Sequence, residues 1–176
     1  WWCSDTAELF FDDCRVPVTN LIGEEGEGFA LLAENFQMER LALAVMANVT
    51  AELALDECQR WVGERRAFGR SIGKFQVIRH RLAEMATLVE ASRQMTYRQA
   101  ARVQAGQVAV KEISMAKNFA TDAADRVTWD AVQIFGGSGY MRGSLVERLY
   151  RDARVLSIGG GTREIMNEVI CRQMGL

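Results

Sequence analysis

The chain contains a single proline, and its position constrains the fold more than any other feature. Pro17 lies near the amino-terminal end of the 176 residues. Proline disrupts a helix interior because it lacks the amide hydrogen and its ring clashes with the preceding turn. The residues after Pro17 are therefore free to be helical, and their apolar positions recur at helical spacing. This pattern predicts an all-α fold, an antiparallel up-and-down four-helix bundle.

Three long helices and two short ones are predicted after a glycine-rich hinge at residues 23–28. They cover residues 29–62, 75–102, 110–135, 145–151 and 162–174. The link 63–74 is expected to be irregular. Before the hinge, residues 9–11 and 16–18 are expected to form short extended pieces. Two strands alone are marginally stable, and the chain opens on tryptophan without a signal-peptide pattern, so we expect a fragment of a longer polypeptide.

An acid lies on the apolar face of the first predicted helix. When this helix is drawn at about 100° per residue, five apolar side chains fall within about 60° of one line. They are Leu32, Phe36, Leu43, Met46 and Leu53. Glu39 falls within the same arc. Because burying an unpaired charge costs several kcal/mol or more, we expect Glu39 to form an ion pair, with Arg40 or another helix, or to act as a general base at a dry pocket.

Composition excludes several classes of function. The net charge of −2 gives no broad attraction to nucleic acid or to a membrane surface. The sequence contains no run of 18 or more apolar residues, which is about the length needed to span a bilayer. The single histidine, His80, disfavours a catalytic triad or a multi-histidine metal site. The four cysteines lack the Cys-x-x-Cys spacing of zinc sites, so no metal site is predicted and reduced thiols are expected.

Three segments at helix ends carry residues suited to binding. Arg65-Arg66-Ala67-Phe68-Gly69 offers guanidinium groups that suit a pyrophosphate, although such a link is also typical of a solvated turn. Residues 133–140 end a helix in glycines that let a ligand approach the main chain. Residues 159–162 open the last helix, where free amides attract anions. Each glycine cluster taken singly is also typical of a helix cap.

These motifs, in this order, resemble those of the carboxyl-terminal domain of the acyl-CoA dehydrogenases. The matching segments are Met38-Glu39-Arg40-Leu41, Arg65-Arg66-Ala67-Phe68-Gly69, Gln133-Ile134-Phe135-Gly136-Gly137-Ser138-Gly139-Tyr140, and Arg151-Asp152-Ala153-Arg154 followed by Gly160-Gly161-Thr162. Residues 4–8 and 12–17 resemble the last strands of the family's middle β-domain. The resemblance implies two parts: residues 1–22 as a remnant of that β-domain, and residues 23–176 as the helical-bundle domain.

The resemblance implies flavin adenine dinucleotide (FAD) as cofactor and a homo-oligomer, a dimer or tetramer, whose subunits share flavin sites. The residues that match flavin contacts are Arg65, Phe68, Gln76, Gln133, Gly136, Gly137, Thr162 and Glu164. Arg40 and Gly161 match residues that line the acyl-CoA channel. An acyl-CoA thioester is the implied substrate, and electron-transfer flavoprotein the implied electron acceptor. The expected location is the cytoplasm, or the mitochondrial matrix in a eukaryote.

One departure from the family pattern concerns the catalytic base. Many members carry the catalytic glutamate two residues before the threonine of the last motif, where this chain has Gly160. A smaller group, including long-chain and isovaleryl types, carries it on the first long helix before Arg-Leu, which here is Glu39. The resemblance implies that Glu39 removes the proton α to the thioester carbonyl while a hydride passes from the β-carbon to the flavin. The acyl chain stays open, with Gly160 leaning towards the longer type.

Two other functions stay open at this stage. One is a non-catalytic assembly or binding module that kept the bundle and lost the chemistry. The other is a related flavin oxidase of the same fold, such as an acyl-CoA oxidase or a nitroalkane oxidase. Under any of these readings the fragment alone is expected to be inactive and to bind flavin weakly or not at all.

Overall fold

The computed structural model describes residue 1 and residues 4–176, and most of the chain after residue 27 is helical. Its elements are α1 (Gly28–Glu64), β1 (Arg66–Ala67), β2 (Arg70–Ser71), α2 (Gln76–Gln104), α3 (Val110–Phe135), α4 (Gly137–Tyr140), α5 (Leu145–Ala153) and α6 (Arg163–Gln173). Short 3-10 turns occupy Val18–Asn20, Ile72–Lys74 and Arg154–Ser157. The predicted all-α bundle is confirmed, and every predicted helix is present with its ends within two residues of those expected.

The bundle is built around the contact between α1 and α3, which is the most extensive in the molecule. Short links join α1 to α2 and α2 to α3, so neighbours in sequence run antiparallel and α1 runs parallel to α3. Small buried residues line this contact: Ala44, Ala47, Ala51 and Ala54 on α1, and Ala116, Ala120, Ala124 and Ala131 on α3. Small side chains let two helices approach closely. The short helices α5 and α6 pack on α3 and complete the bundle.

Most of the apolar arc predicted to be buried on α1 is exposed, although Phe36 and Leu43 are half-buried and Leu43 packs against the core. Leu32 is 56% exposed, Met46 40% and Leu53 43%, and Glu39 is exposed with them. The core takes the alanine face of α1, which lies roughly 100° further round the helix. The prediction that Glu39 is buried is therefore wrong for this chain, because helix packing here selected small side chains over large ones. The exposed part of the arc remains an uncovered apolar surface.

The link between α1 and α2 is a β-hairpin, which corrects the prediction of an irregular segment. β1 pairs antiparallel with β2, and Arg66 lies opposite Ser71. The loop residues Phe68 and Gly69 both have positive φ, 51° and 79°, as in a type I′ turn. Such turns favour Asn-Gly or Asp-Gly, so a phenylalanine in the first position hides the signal from sequence reasoning.

The segment before α1 packs loosely. Leu9, Phe10 and Phe11 are 77%, 84% and 80% exposed, and the described part of residues 1–22 contains no β-strand. The extended pieces expected there therefore form no strand pair within this chain. The division into residues 1–22 and 23–176 as parts of two domains stays a prediction. No helix in the described part of the chain combines the length and hydropathy needed to cross a bilayer.

The alanine-lined contact predicts that a change from alanine to leucine destabilises the fold at a buried position and has little effect at an exposed one. Ala54 on α1 has no exposed surface, so Ala54→Leu must displace its core neighbours, and we expect the free energy of unfolding to fall by about 1–3 kcal/mol. Ala91 on α2 is exposed, and Ala91→Leu should change it by less than about 0.5 kcal/mol. Urea denaturation followed by circular dichroism measures both, and equal effects would contradict the close packing.

Candidate functional site

Glu39 faces a glycine turn that belongs to a distant part of the chain. Gly160 and Gly161, between the 3-10 turn Arg154–Ser157 and α6, have positive φ values of 63° and 104°. A Cβ atom added to Gly160 would lie 3.8 Å from Oε1 of Glu39 and 2.6 Å from Cδ1 of Leu43. The backbone conformation therefore favours glycine, Leu43 would have to shift to admit a side chain, and the main chain is bare where the carboxylate approaches it. Positions 39 and 160 are neighbours in space.

Two buried cations hold this turn from two different helices. Nε of Arg40, on α1, donates a hydrogen bond of 3.1 Å to the carbonyl oxygen of Gly160. Nζ of Lys117, on α3, donates to the carbonyl oxygen of Gly161. Arg40 is 8% exposed and Lys117 only 1%. Successive carbonyl groups of the turn are thus tied to α1 and α3, and we call Glu39, Arg40, Lys117 and the two glycines the glycine-turn site.

The charges of the glycine-turn site act on one another. Burial, and to a smaller extent the charge of Arg40, lowers the pKa of Lys117 to about 8, while Glu39 acts in the opposite direction. Burial also lowers the pKa of Arg40, against an opposing effect of Glu39. Within residue 1 and residues 4–176, Glu39 forms no salt bridge, since the guanidinium group of Arg40 bonds the turn instead. The expected ion pair between Glu39 and Arg40 is therefore not formed by direct contact.

Sequence reasoning missed Lys117, although a signal for it exists. Lys117 lies four residues after Ile113 and three before Ala120, both of which are predicted core positions and are buried. A lysine at this spacing falls on the apolar face of α3. The helical projection that singled out Glu39 on α1 identifies Lys117 when it is applied to α3. Lysine is almost never fully buried unless its ammonium group is paired, so this position is unusual.

Most of the predicted flavin contacts gather at the opposite end of the bundle. Trp61, near the end of α1, stacks on Phe135, at the end of α3, with ring centroids 4.6 Å apart. This contact brings the hairpin beside the junction of α3 and α4. We call this region the hairpin end, and its exposed candidate residues are Arg65, Phe68, Gln76, Gln133, Gly136 and Gly137.

The hairpin end presents a cation, an aromatic ring and bare backbone together. Phe68 is 93% exposed in a left-handed conformation that costs a non-glycine residue roughly 1–2 kcal/mol. A Cβ atom added to Gly136 or Gly137 would meet no other atom within 4 Å. Packing within the chain therefore leaves open space above both glycines. A strained and exposed ring beside open backbone is typical of a surface that binds something else.

Thr162 and Glu164 lie at the glycine-turn site and not at the hairpin end. Oγ1 of Thr162 caps α6 by accepting a hydrogen bond of 3.4 Å from the amide of Ile165. Hydrogen bonds from its own backbone amide and from Thr162 lower the pKa of Glu164. Both residues line a polar depression of about 390 Å³. From Glu39 to Arg65 the helix advances about 39 Å, so the predicted flavin contacts fall into two separate groups.

The largest groove contains none of the residues of the glycine-turn site. It has a volume of about 1300 Å³ and lies between α3 and α5, where Trp129, Met141 and Tyr150 contribute exposed apolar surface. Val132 and Gly139 also line it, on either side of the glycines of the hairpin end. Its size reflects an uncovered apolar surface, whereas the candidate base, Glu39, lies elsewhere.

Lys117 predicts an unusual dependence of stability on pH. Its pKa is about 8 in the folded protein because burial disfavours the ammonium ion, against an ordinary value of 10.5 in the unfolded chain. Below pH 8 both states bind the proton, and between pH 8 and 10.5 only the unfolded state keeps it, so stability rises with pH across this window. As the pH rises through this window, we expect the free energy of unfolding of the wild type to increase by up to about 3 kcal/mol relative to that of Lys117→Met.

Urea denaturation of both proteins at a series of pH values across this window measures the gain. Ile113→Val removes part of a buried side chain on the same helix without removing a titrating group. Its difference in stability from the wild type should be constant with pH. A constant difference for Lys117→Met as well would contradict the lowered pKa.

Comparison with known proteins adds relatives that share this domain. The family described as acyl-CoA dehydrogenase, C-terminal domain, matches residues 26–175. Cyclohexane-1-carbonyl-CoA dehydrogenase of Geobacter metallireducens is 42% identical over 171 residues, which are 97% of this chain and 45% of the relative. The mitochondrial long-chain specific acyl-CoA dehydrogenase of Sus scrofa is 39% identical over 97% of this chain and 40% of its own.

A solved structure agrees with these relatives. The crystal structure of a probable acyl-CoA dehydrogenase from Mycobacterium abscessus matches with a TM-score of 0.91 and 53% identity, over 94% of this chain and 44% of that one. The chain thus spans less than half the length of the proteins it matches. The chain belongs to the acyl-CoA dehydrogenase family, and residues 26–175 are its carboxyl-terminal helical domain.

Proposed function

We propose that the intact protein is a flavin-dependent acyl-CoA dehydrogenase, which forms a double bond between the α- and β-carbons of an acyl-CoA thioester. Membership of the family supports this function. The observation that carries it is the carboxylate of Glu39 beside the bare turn at Gly160, 3.8 Å from the position of a Cβ atom there. An acid at that point serves no fold-forming contact within the described part of the chain, which weakens the alternative of a purely structural module.

Glu39 acts as the general base in this proposal. The proton leaves the α-carbon for the carboxylate of Glu39, and the hydride leaves the β-carbon. A positioned base contributes about 10² to 10⁴ in rate. A carboxylate gains basicity when it is desolvated, and Glu39 is exposed here. We infer that substrate and the rest of the polypeptide cover Glu39 together with the exposed arc of Leu32, Met46 and Leu53.

The residues of the hairpin end fit a flavin dinucleotide. Arg65 offers an exposed guanidinium group, which suits a pyrophosphate. Phe68 offers an apolar ring, and Gly136 and Gly137 leave space for a ligand against the main chain. FAD, when bound, accepts the hydride that leaves the substrate. Gln76 and Gln133 extend this surface with amide groups.

The length of α1 supports a homo-oligomer, a dimer or tetramer. The hairpin end lies about 39 Å from Glu39 along the helix, which is too far for both to reach one flavin from a single chain. We infer that the hairpin end serves a flavin whose catalytic base belongs to another subunit. Thr162 and Glu164, near Glu39, serve the flavin site on their own side of the domain. Arg40 and Gly161 line the acyl-CoA channel, and electron-transfer flavoprotein is the proposed electron acceptor.

Replacing the proposed base tests the reaction directly. In the intact protein, Glu39→Gln should slow exchange of the substrate α-proton with deuterated water by at least about 10²-fold, because the amide cannot accept the proton. Bound flavin should be retained. Glu34→Gln, on the exposed side of α1, is the matched control and should exchange at the wild-type rate. Undiminished exchange in Glu39→Gln would reject the assignment of Glu39 as base.

Replacing Phe68, the strained residue of the hairpin, is expected to affect stability and flavin binding in different ways. Asparagine tolerates positive φ, and Asn-Gly is the favoured type I′ pair, so Phe68→Asn should keep or raise the free energy of unfolding by up to about 1 kcal/mol. We expect the same variant of the intact protein to bind FAD at least tenfold more weakly, as measured by flavin fluorescence. Phe68→Tyr keeps the ring and should bind normally. Full affinity in Phe68→Asn would remove Phe68 from the flavin site.

A further inference from the structure

Lys117 is a buried cation that the proposed reaction leaves unexplained. Its ammonium group bonds the carbonyl oxygen of Gly161, and no carboxylate in the described ranges forms a salt bridge with it. The charge of Glu39 favours the ammonium form, but burial outweighs it and the pKa of Lys117 stays lowered, so burying this cation is unfavourable for folding. A methionine would fill a similar volume without that penalty. The lysine therefore requires a role that an apolar side chain cannot perform.

Backbone hydrogen bonds hold the chain up to Gly159 and again from Thr162, and the two glycines between them are held by side chains from other helices. Gly160 and Gly161 have no side chains, and both adopt positive φ, so their own conformational preferences do not define one geometry. Its side-chain anchors are two hydrogen bonds, from Arg40 to the first carbonyl group and from Lys117 to the second. The anchors come from different helices, α1 and α3, so together they fix both the position and the tilt of the turn.

The turn is also close to the reacting carboxylate. A Cβ atom added to Gly160 would lie 3.8 Å from Oε1 of Glu39, and a Cβ atom added to Gly161 would lie 3.8 Å from Nη2 of Arg40. Loss of either anchor would let the turn move towards or away from Glu39. A displacement of about 1 Å at a reaction centre can cost about 10²-fold in rate.

We propose that Lys117 is a positioning residue, which holds the Gly160–Gly161 turn in place opposite Glu39 and so sets where the substrate α-carbon lies relative to the base. This proposal rests on the proposed dehydrogenase function. Lys117 itself touches neither substrate nor flavin in this account. It acts through the main chain of the turn.

The test uses the intact, flavin-loaded enzyme with Lys117→Met and Lys117→Gln. Methionine removes the donor, whereas glutamine keeps a neutral donor for the Gly161 carbonyl oxygen. We expect kcat per bound flavin to fall 10- to 100-fold in Lys117→Met and less in Lys117→Gln, while KM for the acyl-CoA stays within threefold of the wild type. Ile113→Val, one turn earlier on α3, lowers core packing without touching the turn and should keep the wild-type kcat.

A role in folding alone predicts a different result. Lys117→Met would then change the unfolding temperature but leave kcat per bound flavin within threefold of the wild type, which would overturn the proposal. An equal fall in kcat for Ile113→Val would overturn it too. If Lys117→Met does not fold, Lys117→Gln is used in its place. A fall in its kcat per bound flavin of more than threefold supports the proposal, and a smaller fall overturns it.

Hydrogen–deuterium exchange separates failure of this proposal from failure of the proposed function. We expect amides of residues 158–163 to exchange at least tenfold faster in either variant, with the rest of α3 unchanged. Unchanged exchange overturns the anchoring role whatever reaction the enzyme performs. A wild-type enzyme whose flavin is reduced by no acyl-CoA in a chain-length series overturns the proposed function, and with it the catalytic consequence assigned to Lys117.

Discussion

The close approach of α1 to α3 is the constraint on which the other features depend. Alanines on both helices make the contact narrow, and the large residues Leu32, Met46 and Leu53 of α1 lie on a different face. That outward face carries Glu39. The same contact brings Arg40 of α1 and Lys117 of α3 to either side of one turn, where each bonds a carbonyl group. The helix contact that forms the core therefore also sets the geometry of the candidate site.

The length of α1 divides the domain into two regions with different chemistry. One end holds an acid and two buried cations around a glycine turn, and the other holds an exposed hairpin beside an open glycine junction. About 39 Å of rigid helix between Glu39 and Arg65 keeps them apart. The parallel direction of α1 and α3 places the hairpin beside Gly136, and the stacking of Trp61 on Phe135 secures that end. Under the proposed function, each end is one part of a site that further protein surface completes.

Much of the fold could be predicted from the sequence because helical periodicity and glycine breaks are local signals. The ends of α3, for example, follow from the spacing of Ile113, Ala120 and Val127 and from Gly136. The orientation of α1 could not be predicted this way. An apolar arc of large residues predicts burial only when size and burial go together, and here Ala44, with no exposed surface, is buried while Leu32 is exposed. Which face packs depends on the shape of the partner helix, which is not a local property.

The candidate site shows the same division between local and non-local information. Motif order predicts Glu39, Arg40 and Gly161 as a group, but their contact with one another depends on how α6 returns to α1. Lys117 carries a local signal, a lysine at a core position, whose meaning appears only beside the carbonyl oxygen of Gly161. The hairpin has almost no local signal, because Phe68 occupies a conformation that its residue type disfavours.

The contact between Leu43 and the space above Gly160 has an evolutionary consequence. The resemblance to the family implies that the glutamate can stand at either position 39 or position 160, and in this chain a Cβ atom at position 160 would lie 2.6 Å from Cδ1 of Leu43. Moving the acid to position 160 would require Leu43 to change rotamer and a non-glycine residue to adopt a φ of 63°, which costs roughly 1–2 kcal/mol. An acid at position 39 needs neither change, because it lies on a regular helix. Glycine at position 160 and the acid at position 39 are therefore expected to be inherited together.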